Sequence, residues 1–502
     1  MLACVRSAAV YGIEASAVQV EVDVSFGLPG FTMVGLPDAS VRESRDRIRS
    51  AIRNSGFEFP QHRVTVNLAP ADIRKAGSAF DLPIAIGVLA ASGVVTRRDI
   101  HDVLVLGEVS LDGGIHAARG VLPVAAAARR HRFRGLLLPR PNTPEAAVVE
   151  GLELYPVRSL AEAVGALNDP ARFRAALDDG AVAAAPLPAS TFDGDFADVQ
   201  GQLLARRALE IAAAGGHNTL MTGPPGAGKT MMARRVGSIL PALTFDEALE
   251  ATSIHSVAGL LPSGTRLLVA RPFRAPHHTI SDVALVGGGQ YPRPGEISLA
   301  HHGVLFLDEM PEFSRHVLEV LRQPLEEGCV RIARASRTVV FPARFMLVGA
   351  MNPCPCGYLG DPVRPCRCSP QQVARYASRL SGPLRDRLDL TVHVAALTAR
   401  ELQESASGEA SAEIRTRVLG ARERQLARDG VLNGRLQGRT LRARAALDGR
   451  ARSLASRALA RLALSARGYD RVLRVARTVA DLAGAETVGA DHLAEALQFR
   501  GD

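Results

Sequence analysis

The chain has 502 residues, of which 47% are hydrophobic, and it carries a formal charge of +9. This length predicts about three domains with cores of their own. An aromatic content of 4% without any tryptophan argues against a single-strand binding surface built from many stacked rings. The basic charge suits a polyanionic partner such as nucleic acid, but an arginine-rich surface facing solvent would give the same balance.

The amino-terminal segment does not have the layout of a signal peptide, because Tyr11 and Glu14 interrupt any apolar stretch there. The longest apolar run, residues 82–95, is shorter than the roughly 20 residues that a membrane span needs. We therefore expect a cytoplasmic protein with no membrane partner. Its six cysteines are expected to be reduced or bound to metal.

Residues 1–167 mix strand-like and helix-like patterns, which predicts an α+β domain. Alternating and apolar patterns predict the strands 18–24, 63–68 and 103–107 and the helices 41–54 and 82–91. From residue 168 to about 195 the composition shifts to alanine, proline and aspartate, which is typical of a linker.

Residues 196–397 alternate helices with buried strands, which predicts a parallel sheet with flanking helices. The strands are expected at 218–222, 303–307 and 345–350. The remainder, residues 398–502, begins with a polar stretch and continues as a helical, arginine-rich domain. The expected fold class is therefore multidomain α/β, with a parallel-sheet core between an α+β domain and a helical one.

Among 60 basic residues the chain has only two lysines, Lys75 and Lys229. Lys229 belongs to a segment with the spacing G-x-x-x-x-G-K-[ST], a phosphate-binding loop that follows a strand and opens a helix. A compact ammonium can reach the β- and γ-phosphates of a nucleotide, and a planar guanidinium is not its equivalent. The residues expected to bind a nucleoside triphosphate are Gly223, Pro224, Pro225, Gly226, Ala227, Gly228, Lys229 and Thr230.

A later apolar strand ends in two carboxylates, Asp308 and Glu309. Asp308 is expected to hold Mg²⁺ together with the Thr230 hydroxyl, and Glu309 is expected to polarise the attacking water. Asn352 follows another predicted strand and can orient that water between the two motifs. These groups nearly suffice for hydrolysis, because phosphoryl transfer depends on positioning and charge neutralisation more than on covalent chemistry.

Two insertions interrupt this second region. Residues 329–341 predict a hairpin, and residues 271–297 form a second insertion with three consecutive glycines. Arginine side chains on the hairpin can contact phosphates, which supply most non-specific affinity for nucleic acid. Arginines facing solvent on an edge hairpin are an equally good explanation. The residues concerned are Arg331, Arg334 and Arg337.

Four of the six cysteines stand within fifteen residues: Cys354, Cys356, Cys366 and Cys368. Two C-x-C pairs around a Gly/Pro-rich loop predict a closed, structural zinc site. The spacing is tighter than the usual C-x₂₋₄-C, and four unliganded thiols are the alternative. The pairs His277-His278 and His301-His302 are expected to serve packing, because neighbouring strand residues point to opposite faces and do not chelate easily.

Arg385 and Arg387 follow the cysteine-rich segment, and Arg467 opens a predicted helix in the last domain. From the local motif alone, each of these arginines is more typical of a surface residue than of a catalytic one. The full order of phosphate loop, acidic strand end, asparagine and arginines resembles that of an AAA+ ATPase of the magnesium-chelatase-like branch, within it the competence protein ComM (YifB) family. The resemblance extends to the segments 201–202, 207–218, 273–282, 294–309 and 342–345.

This resemblance implies a hexameric ring with ATP and Mg²⁺ bound between subunits. It implies that Arg387 is the arginine finger acting on a neighbouring subunit and that Arg467 is the sensor-two residue. Arg385 stands where this family more often has an apolar residue, so the choice of finger between Arg385 and Arg387 stays open. The implied function is that of a DNA branch-migration helicase in homologous recombination and natural transformation. Recombination proteins are possible partners.

Residues 1–167 resemble the ChlI-type domain, whose fold is like that of the Lon protease domain and ribosomal protein S5. Ser78 falls where the Lon nucleophile would be, but residues 119–129 offer no lysine as its base. Arginine stays protonated and cannot replace lysine in that role. We therefore expect an inactive domain. The alternatives to a DNA motor are a chelatase-type subunit that remodels a protein partner and a Lon-like ATP-dependent protease or unfoldase.

Overall fold

The structure is a computed structural model, and it describes the residues 1–71, 75, 77–97, 100–175, 194–262, 264–289, 292–333, 338–361, 364–396, 408–462 and 464–500. Two units, each built on its own sheet, are followed by a group of helices. None of the described helices combines the length and the apolar character that a bilayer span requires.

The described residues of the first unit form nine strands: β1 Leu2–Tyr11, β2 Glu14–Ser25, β3 Gly30–Val34, β4 Arg63–Ala69, β5 Val103–Val105, β6 Glu108–Val109, β7 Ile115–His116, β8 Gly135–Pro139 and β9 Glu153–Val157. Its helices are α1 Ala39–Asn54, α2 Asp81–Ala91, α3 Val121–Arg130, α4 Thr143–Ala146, α5 Leu160–Asn168 and α6 Pro170–Phe173. Seven of the strands form a mixed sheet in the order β3-β4-β2-β1-β5-β8-β9.

Side-chain patterning explains these elements. Val18, Val20 and Val22 alternate along β2 and are completely buried, because they form one face of the sheet. Helix α2 is apolar on all sides and buried almost throughout. It lies so close to β2 that a Cβ on Gly87 would be 2.5 Å from Cγ2 of Val22. The strands and helices predicted for this region are therefore confirmed.

The first unit continues into the segment predicted as a linker. Helix α6 follows α5 directly, and the backbone N–H of Ala175 donates to the carbonyl of Leu154 on β9 over 2.8 Å. Residues 176–193 of that linker lie outside the described residues. The first unit thus extends at least to Ala175.

In the described part of the second unit there are nine further strands: β10 Thr219–Thr222, β11 Phe273–Arg274, β12 Gly287–Gly288, β13 Arg293–Pro294, β14 Val304–Leu307, β15 Cys329–Ala333, β16 Thr338–Pro342, β17 Met346–Met351 and β18 Leu390–His393. Its helices are α7 Leu203–Gly215, α8 Lys229–Ile239, α9 Phe245–Ala258, α10 Asp282–Val286, α11 Glu296–Leu299, α12 Arg315–Glu319, α13 Arg322–Glu327, α14 Pro370–Ala377 and α15 Gly382–Arg385. Five strands form the predicted sheet, in the order β11-β14-β17-β10-β18.

All neighbouring strands of this five-stranded sheet run parallel. The ends of β10, β14 and β17 therefore lie along one side, which we call the carboxyl edge, and their beginnings lie along the opposite side, the amino edge. The central strands are buried along their whole length. The parallel-sheet core expected from the sequence is confirmed, and the two edges determine where each candidate site residue lies.

Strands β15 and β16 form an antiparallel pair, from Cys329 opposite Pro342 to Ala333 opposite Thr338. We call this pair the arginine hairpin; the turn between its strands, residues 334–337, lies outside the described residues. The turn between β1 and β2 packs against it. A Cβ on Gly12 would lie 3.0 Å from Cγ1 of Val339, and the flanking Tyr11 and Ile13 pack against the same apolar cluster.

The last part of the chain is helical, as expected from the sequence, with α16 Ser411–Asp429, α17 Gly438–Arg444, α18 Gly449–Leu462, α19 Ala466–Leu482 and α20 Ala490–Gln498. A buried polar network joins it to the amino edge of the sheet. His217 lies 3.2 Å from Asp389 and 2.8 Å from the hydroxyl of Thr478 on α19. Arg474 of the same helix donates to Asp389 over 2.8 Å. The helical region is thus held at the amino edge.

Candidate nucleotide and metal sites

The phosphate loop connects the carboxyl end of β10 with the first residue of α8. Gly226 and Gly228 have φ of 80° and 87°, the left-handed region that glycine adopts without strain. Gly223 is required for a different reason, because a Cβ there would lie 2.1 Å from the carbonyl oxygen of Val394. The loop therefore aims the backbone amides at the start of α8 toward one point, as phosphate binding needs.

Lys229 is buried beside this loop. Its ammonium donates to the carbonyls of Gly223 and Pro224 over 2.6 and 2.8 Å, and to Oδ1 of Asn352 over 3.2 Å. Burial lowers the pKa of Lys229, while the nearby charges of Asp308 and Glu309 act in the opposite direction. The predicted lysine and the predicted asparagine are thus brought into contact.

Asp308 and Glu309 follow β14, next to the phosphate loop. The Thr230 hydroxyl donates to Asp308 over 2.6 Å, and the backbone N–H of Glu309 donates to the same carboxylate over 2.9 Å. Hydroxyl and carboxylate oxygens are the ligands that Mg²⁺ prefers, so Thr230 and Asp308 are the residues that would hold it. Glu309 has a φ of 48° and a side chain that is 57% exposed, so its carboxylate faces outward from the strand end.

The four clustered cysteines converge after β17. The sulfur of Cys354 lies 3.3 Å from that of Cys356 and 3.6 Å from that of Cys366, and all four sulfurs lie within 4.8 Å of one another. Four thiolates at about 2.3 Å from a tetrahedral zinc are separated by about 3.8 Å, so the cluster has the size of a zinc site. Backbone N–H donors from Arg367 and then Tyr358 lower the pKa of Cys356, whereas the pKa of Cys366 is raised by desolvation and by the neighbouring thiols despite a backbone N–H from Cys368.

This cysteine loop packs directly on the phosphate loop. A Cβ on Gly357 would lie 2.6 Å from Cδ of Pro225 and 3.9 Å from Cγ of Asn352. Gly357 also has a φ of 86°. The sequence places the cysteines next to Asn352 but does not reveal the contact with Pro225, which depends on how the loop folds back.

The predicted arginines lie elsewhere. Arg387 precedes β18 and therefore lies at the amino edge, where its guanidinium donates to the carbonyl of Pro383 over 2.9 Å and pairs with Glu326. Arg467 on α19 lies 3.6 Å from Asp386 and is 70% exposed. Burial, followed by the charges of Arg467 and Arg322, lowers the pKa of Arg387. Arg387 and Arg467 are thus close to each other but on the opposite edge from Lys229.

Of the three predicted DNA-contacting arginines, Arg331 is described. It lies on β15, is 57% exposed and forms an ion pair of 3.0 Å with the exposed Glu327, an interaction that contributes little stability. Arg334 and Arg337 lie outside the described residues. Arg331 is therefore available to a partner on the surface of the arginine hairpin.

In the first unit, the Ser78 hydroxyl donates to the carboxylate of Glu108. Nearby, Arg47 and Asp81 form an ion pair of 3.0 Å, and burial raises the pKa of Asp81 to about 6. Lys75 is completely buried and its ammonium donates to the carbonyl of Pro70. Ser78 is thus held by a carboxylate.

His301 and His302 both lie 2.8 Å from the same oxygen of Glu250. Nδ1 of His301 accepts the backbone N–H of Arg344 over 2.9 Å, so the proton of the neutral ring is on Nε2 and points at Glu250. A metal on Nε2 would have to displace that proton from a ring whose other nitrogen is occupied. The prediction that the two rings point to opposite faces is wrong, because His301 and His302 lie in a turn rather than on a strand and converge on one carboxylate.

Comparison with known proteins covers nearly the whole chain. Residues 20–142 match the family of subunit ChlI of Mg-chelatase, residues 195–402 the magnesium chelatase subunit ChlI family, and residues 408–500 the ChlI C-terminal family. Competence protein ComM of Haemophilus influenzae is 45% identical over 504 residues, which covers 99% of this chain and 97% of that protein.

A second full-length relative and a more distant chelatase subunit show the same similarity. Protein YifB of Escherichia coli is 42% identical over 507 residues, 99% of this chain and 97% of its own. The magnesium-chelatase 38 kDa subunit of Cereibacter sphaeroides is 26% identical over 320 residues, 59% of this chain and 88% of that protein. With three matching family regions and full-length relatives, the chain belongs to the ComM/YifB family of magnesium-chelatase-like proteins.

Proposed function

We propose that this protein is an ATP-hydrolysing, ring-forming motor that acts on branched or duplex DNA during recombination, in the manner of a branch-migration helicase. Lys229, Thr230, Asp308, Glu309 and Asn352 would bind and hydrolyse ATP. When bound, Mg²⁺ would neutralise phosphate charge beside Thr230 and Asp308. The name of the ComM relative supports a role connected with competence.

One observation carries the ring assembly. The phosphate loop, Asp308 and Asn352 lie at the carboxyl edge of the parallel sheet, whereas Arg387 and Arg467 lie at the amino edge. The four residues of β10 alone separate these edges by about 13 Å. The arginines of one chain therefore do not face its own phosphates. They suit the phosphates of a neighbouring subunit, which favours a closed ring, for which we propose a hexamer.

The arginine hairpin supports DNA as the partner. Arg331 is exposed on a two-stranded projection of the second unit, and the chain as a whole carries a charge of +9. Phosphate contacts of this type give sequence-independent, salt-sensitive binding, which a motor that moves along DNA requires.

Two rival functions remain to be separated. A chelatase-type subunit would use the same ATP site to remodel a protein partner, and the 26% identical chelatase subunit supports that possibility. A Lon-like protease would need a base for Ser78, and the Glu108 carboxylate, which accepts a hydrogen bond from the Ser78 hydroxyl, is not the lysine of that family. The exposed, basic hairpin favours the DNA motor over both.

The test is steady-state ATP hydrolysis by the pure protein, alone and with single-stranded, duplex and four-way-junction DNA at moderate salt. We expect stimulation that is strongest with branched DNA and absent in Lys229→Ala. Arg331→Gln should reduce the stimulation and leave the basal rate unchanged, whereas Arg457→Gln, an exposed arginine on α18, should change neither. A hydrolysis rate that none of these DNA molecules changes would contradict the proposed DNA motor and favour a protein as the substrate.

A further inference from the structure

A cavity of about 410 Å³ lies between the amino edge of the five-stranded sheet and the C-terminal helices. Its sheet side is formed by residues that precede strands, such as Asn218, Gly303 and Phe345, and its helical side by α16 and the segment 430–437. Because the phosphate loop lies at the carboxyl edge, this cavity is separate from the ATP site. We call it the arginine cavity.

The carboxylates that line the arginine cavity already have partners. Glu247 accepts two hydrogen bonds from Arg271, of which the shorter is 2.7 Å. Glu326 pairs with Arg387, and Glu327 pairs with Arg331 over 3.0 Å. Arg271 is equally saturated, since it also donates to the carbonyls of Pro241, Ala242 and His302. Arg271 and Glu247 are therefore structural, whereas Glu326 and Glu327 are exposed carboxylates whose partners, Arg387 and Arg331, are proposed to act on other molecules.

Three other arginines line the same cavity without a hydrogen-bonded carboxylate among the described residues, while the charge of Glu247 acts on two of them, Arg422 and Arg435. Arg422 donates through Nε to the carbonyl of Ala213 over 2.8 Å, which leaves its two terminal nitrogens free for the cavity. Arg344 and Arg435 also line the cavity and are exposed residues. Within the part of the chain that the structure describes, no group accepts a hydrogen bond from these terminal nitrogens.

Holding these charges together is costly. Burial, and then the charge of Arg271, lowers the pKa of Arg422 to about 9. Desolvation, and then the charge of Arg344, lowers the pKa of Arg435. These positive charges repel one another, and the charge of Glu247 offsets part of that repulsion for both arginines. A bound anion would remove this repulsion.

We propose that the arginine cavity binds a small ligand with two or more phosphate groups. Three guanidinium groups that line one cavity favour an anion with more than one negative charge, and planar guanidinium forks match phosphate oxygens in pairs. The cavity volume is within the range of small-molecule sites. Because its two walls come from the sheet and from the helical region, a bound ligand would fasten one to the other beside Arg387.

The experiment uses the full chain with Lys229→Ala, so that the ATP site is disabled, and titrates inorganic pyrophosphate calorimetrically in magnesium-free buffer. We expect binding, and binding at least about tenfold weaker after Arg422→Gln and Arg435→Gln are added, since each removes charged hydrogen bonds. The matched control adds Arg457→Gln and Arg461→Gln, two exposed arginines of α18 that do not line the cavity. This control should bind as before.

Thermal unfolding curves establish that each variant is folded. If the Arg422→Gln variant does not fold, the substitution Arg344→Gln at an exposed residue replaces it in the experiment. Equal affinities for pyrophosphate and ADP would show that the cavity recognises only the phosphate groups. A higher affinity for ADP would show that it also recognises the nucleoside. No pyrophosphate binding to the Lys229→Ala protein, or equal binding by the Arg422→Gln/Arg435→Gln and control variants, would overturn the proposal. The proposal would also be overturned if the protein bound short single-stranded DNA but did not bind pyrophosphate.

Discussion

The Nδ1 atom of His278 lies 3.9 Å from a carboxylate oxygen of Glu309. His278 belongs to the insertion that follows β11, and Glu309 follows the neighbouring strand β14, so the insertion contacts the residue proposed to polarise water. The ring also packs edge-on against Phe313, which restricts its position. His278 is therefore placed to hold the Glu309 carboxylate.

Removal of this imidazole should impair the chemical step and leave nucleotide binding intact. For His278→Ala we expect kcat to fall by about tenfold with little change in KM, because Glu309 loses a positioning contact and the phosphate loop loses nothing. Steady-state ATP hydrolysis gives both constants. His277→Ala is the control, because His277 is exposed and its Nδ1 contacts Thr279. Equal effects of both changes would contradict a special role for His278.

The separation of Arg387 from Lys229 predicts complementation between inactive proteins. Lys229→Ala and Arg387→Ala should each be inactive alone, since one lacks a phosphate contact and the other lacks the arginine offered to a neighbour. Mixed in equal amounts, they should recover hydrolysis, because about a quarter of the interfaces in a random ring join an intact loop to an intact arginine.

Subunit exchange before the assay is checked by native mass spectrometry of differently tagged variants. The Lys229→Ala protein mixed with a double variant, which carries Lys229→Ala and Arg387→Ala, is the negative control. Recovery in the first mixture and none in the second would establish that the arginine acts across the interface. No recovery despite proven exchange would place Arg387 on its own nucleotide or outside the reaction.

The contact between Gly357 and Pro225 predicts that the cysteine loop tunes nucleotide binding. Gly357→Ala should weaken ATP binding by about tenfold, because the added methyl would force Pro225 to move. Gly360→Ala is a matched control, since Gly360 has a φ of 81° close to the 86° of Gly357 but meets nothing within 4 Å. Both variants carry the same backbone strain, so a nucleotide affinity that differs between them isolates the contact.

Metal analysis of the pure protein tests the cysteine cluster independently. We expect one zinc per chain, lost in a Cys356→Ser/Cys366→Ser variant, and a fall in thermal stability when a chelator removes it. The Cys4→Ser variant should keep its zinc, because Cys4 lies on β1 in the first unit. A metal content that does not differ between the two variants would contradict the assignment.

The sequence identifies the nucleotide site more completely than it identifies the assembly. Each of the two nucleotide motifs, which contain Lys229, Thr230 and Asp308, directly follows a strand. Parallel pairing of those strands is therefore enough to bring the three residues to one edge of the sheet. The contact of His278 with Glu309 and the contact of Gly357 with Pro225 depend on how long loops fold back, which no local pattern encodes. The arginine cavity is the extreme case, because its residues come from segments more than a hundred positions apart.

His301 predicts acid sensitivity. Burial lowers its pKa from 6.5 to about 4, and its hydrogen bond to Glu250 is the main reason that the pKa of Glu250 is lowered to about 2. Between pH 6.5 and 4 the unfolded chain binds a proton that the folded chain does not, so the folded state loses stability as the pH falls through this window. The loss from this residue is at most about 3 kcal/mol.

Urea unfolding from pH 7 to pH 4 measures this effect. His301→Gln should unfold more easily at neutral pH, because the hydrogen bond from Arg344 is lost, but its stability should fall less on acidification. His131→Gln, at an exposed position, should follow the unmodified protein throughout. Parallel pH profiles for all three would show that His301 does not contribute.

The turn at Gly12 has a mechanical consequence for the proposed motor. Any stroke of the arginine hairpin must either slide over Tyr11 and Ile13 or carry the whole amino-terminal sheet with it. The first unit thus sets the stiffness of the element proposed to push on DNA. A domain without an evident reaction of its own would then determine how much of each hydrolysis event is converted into movement.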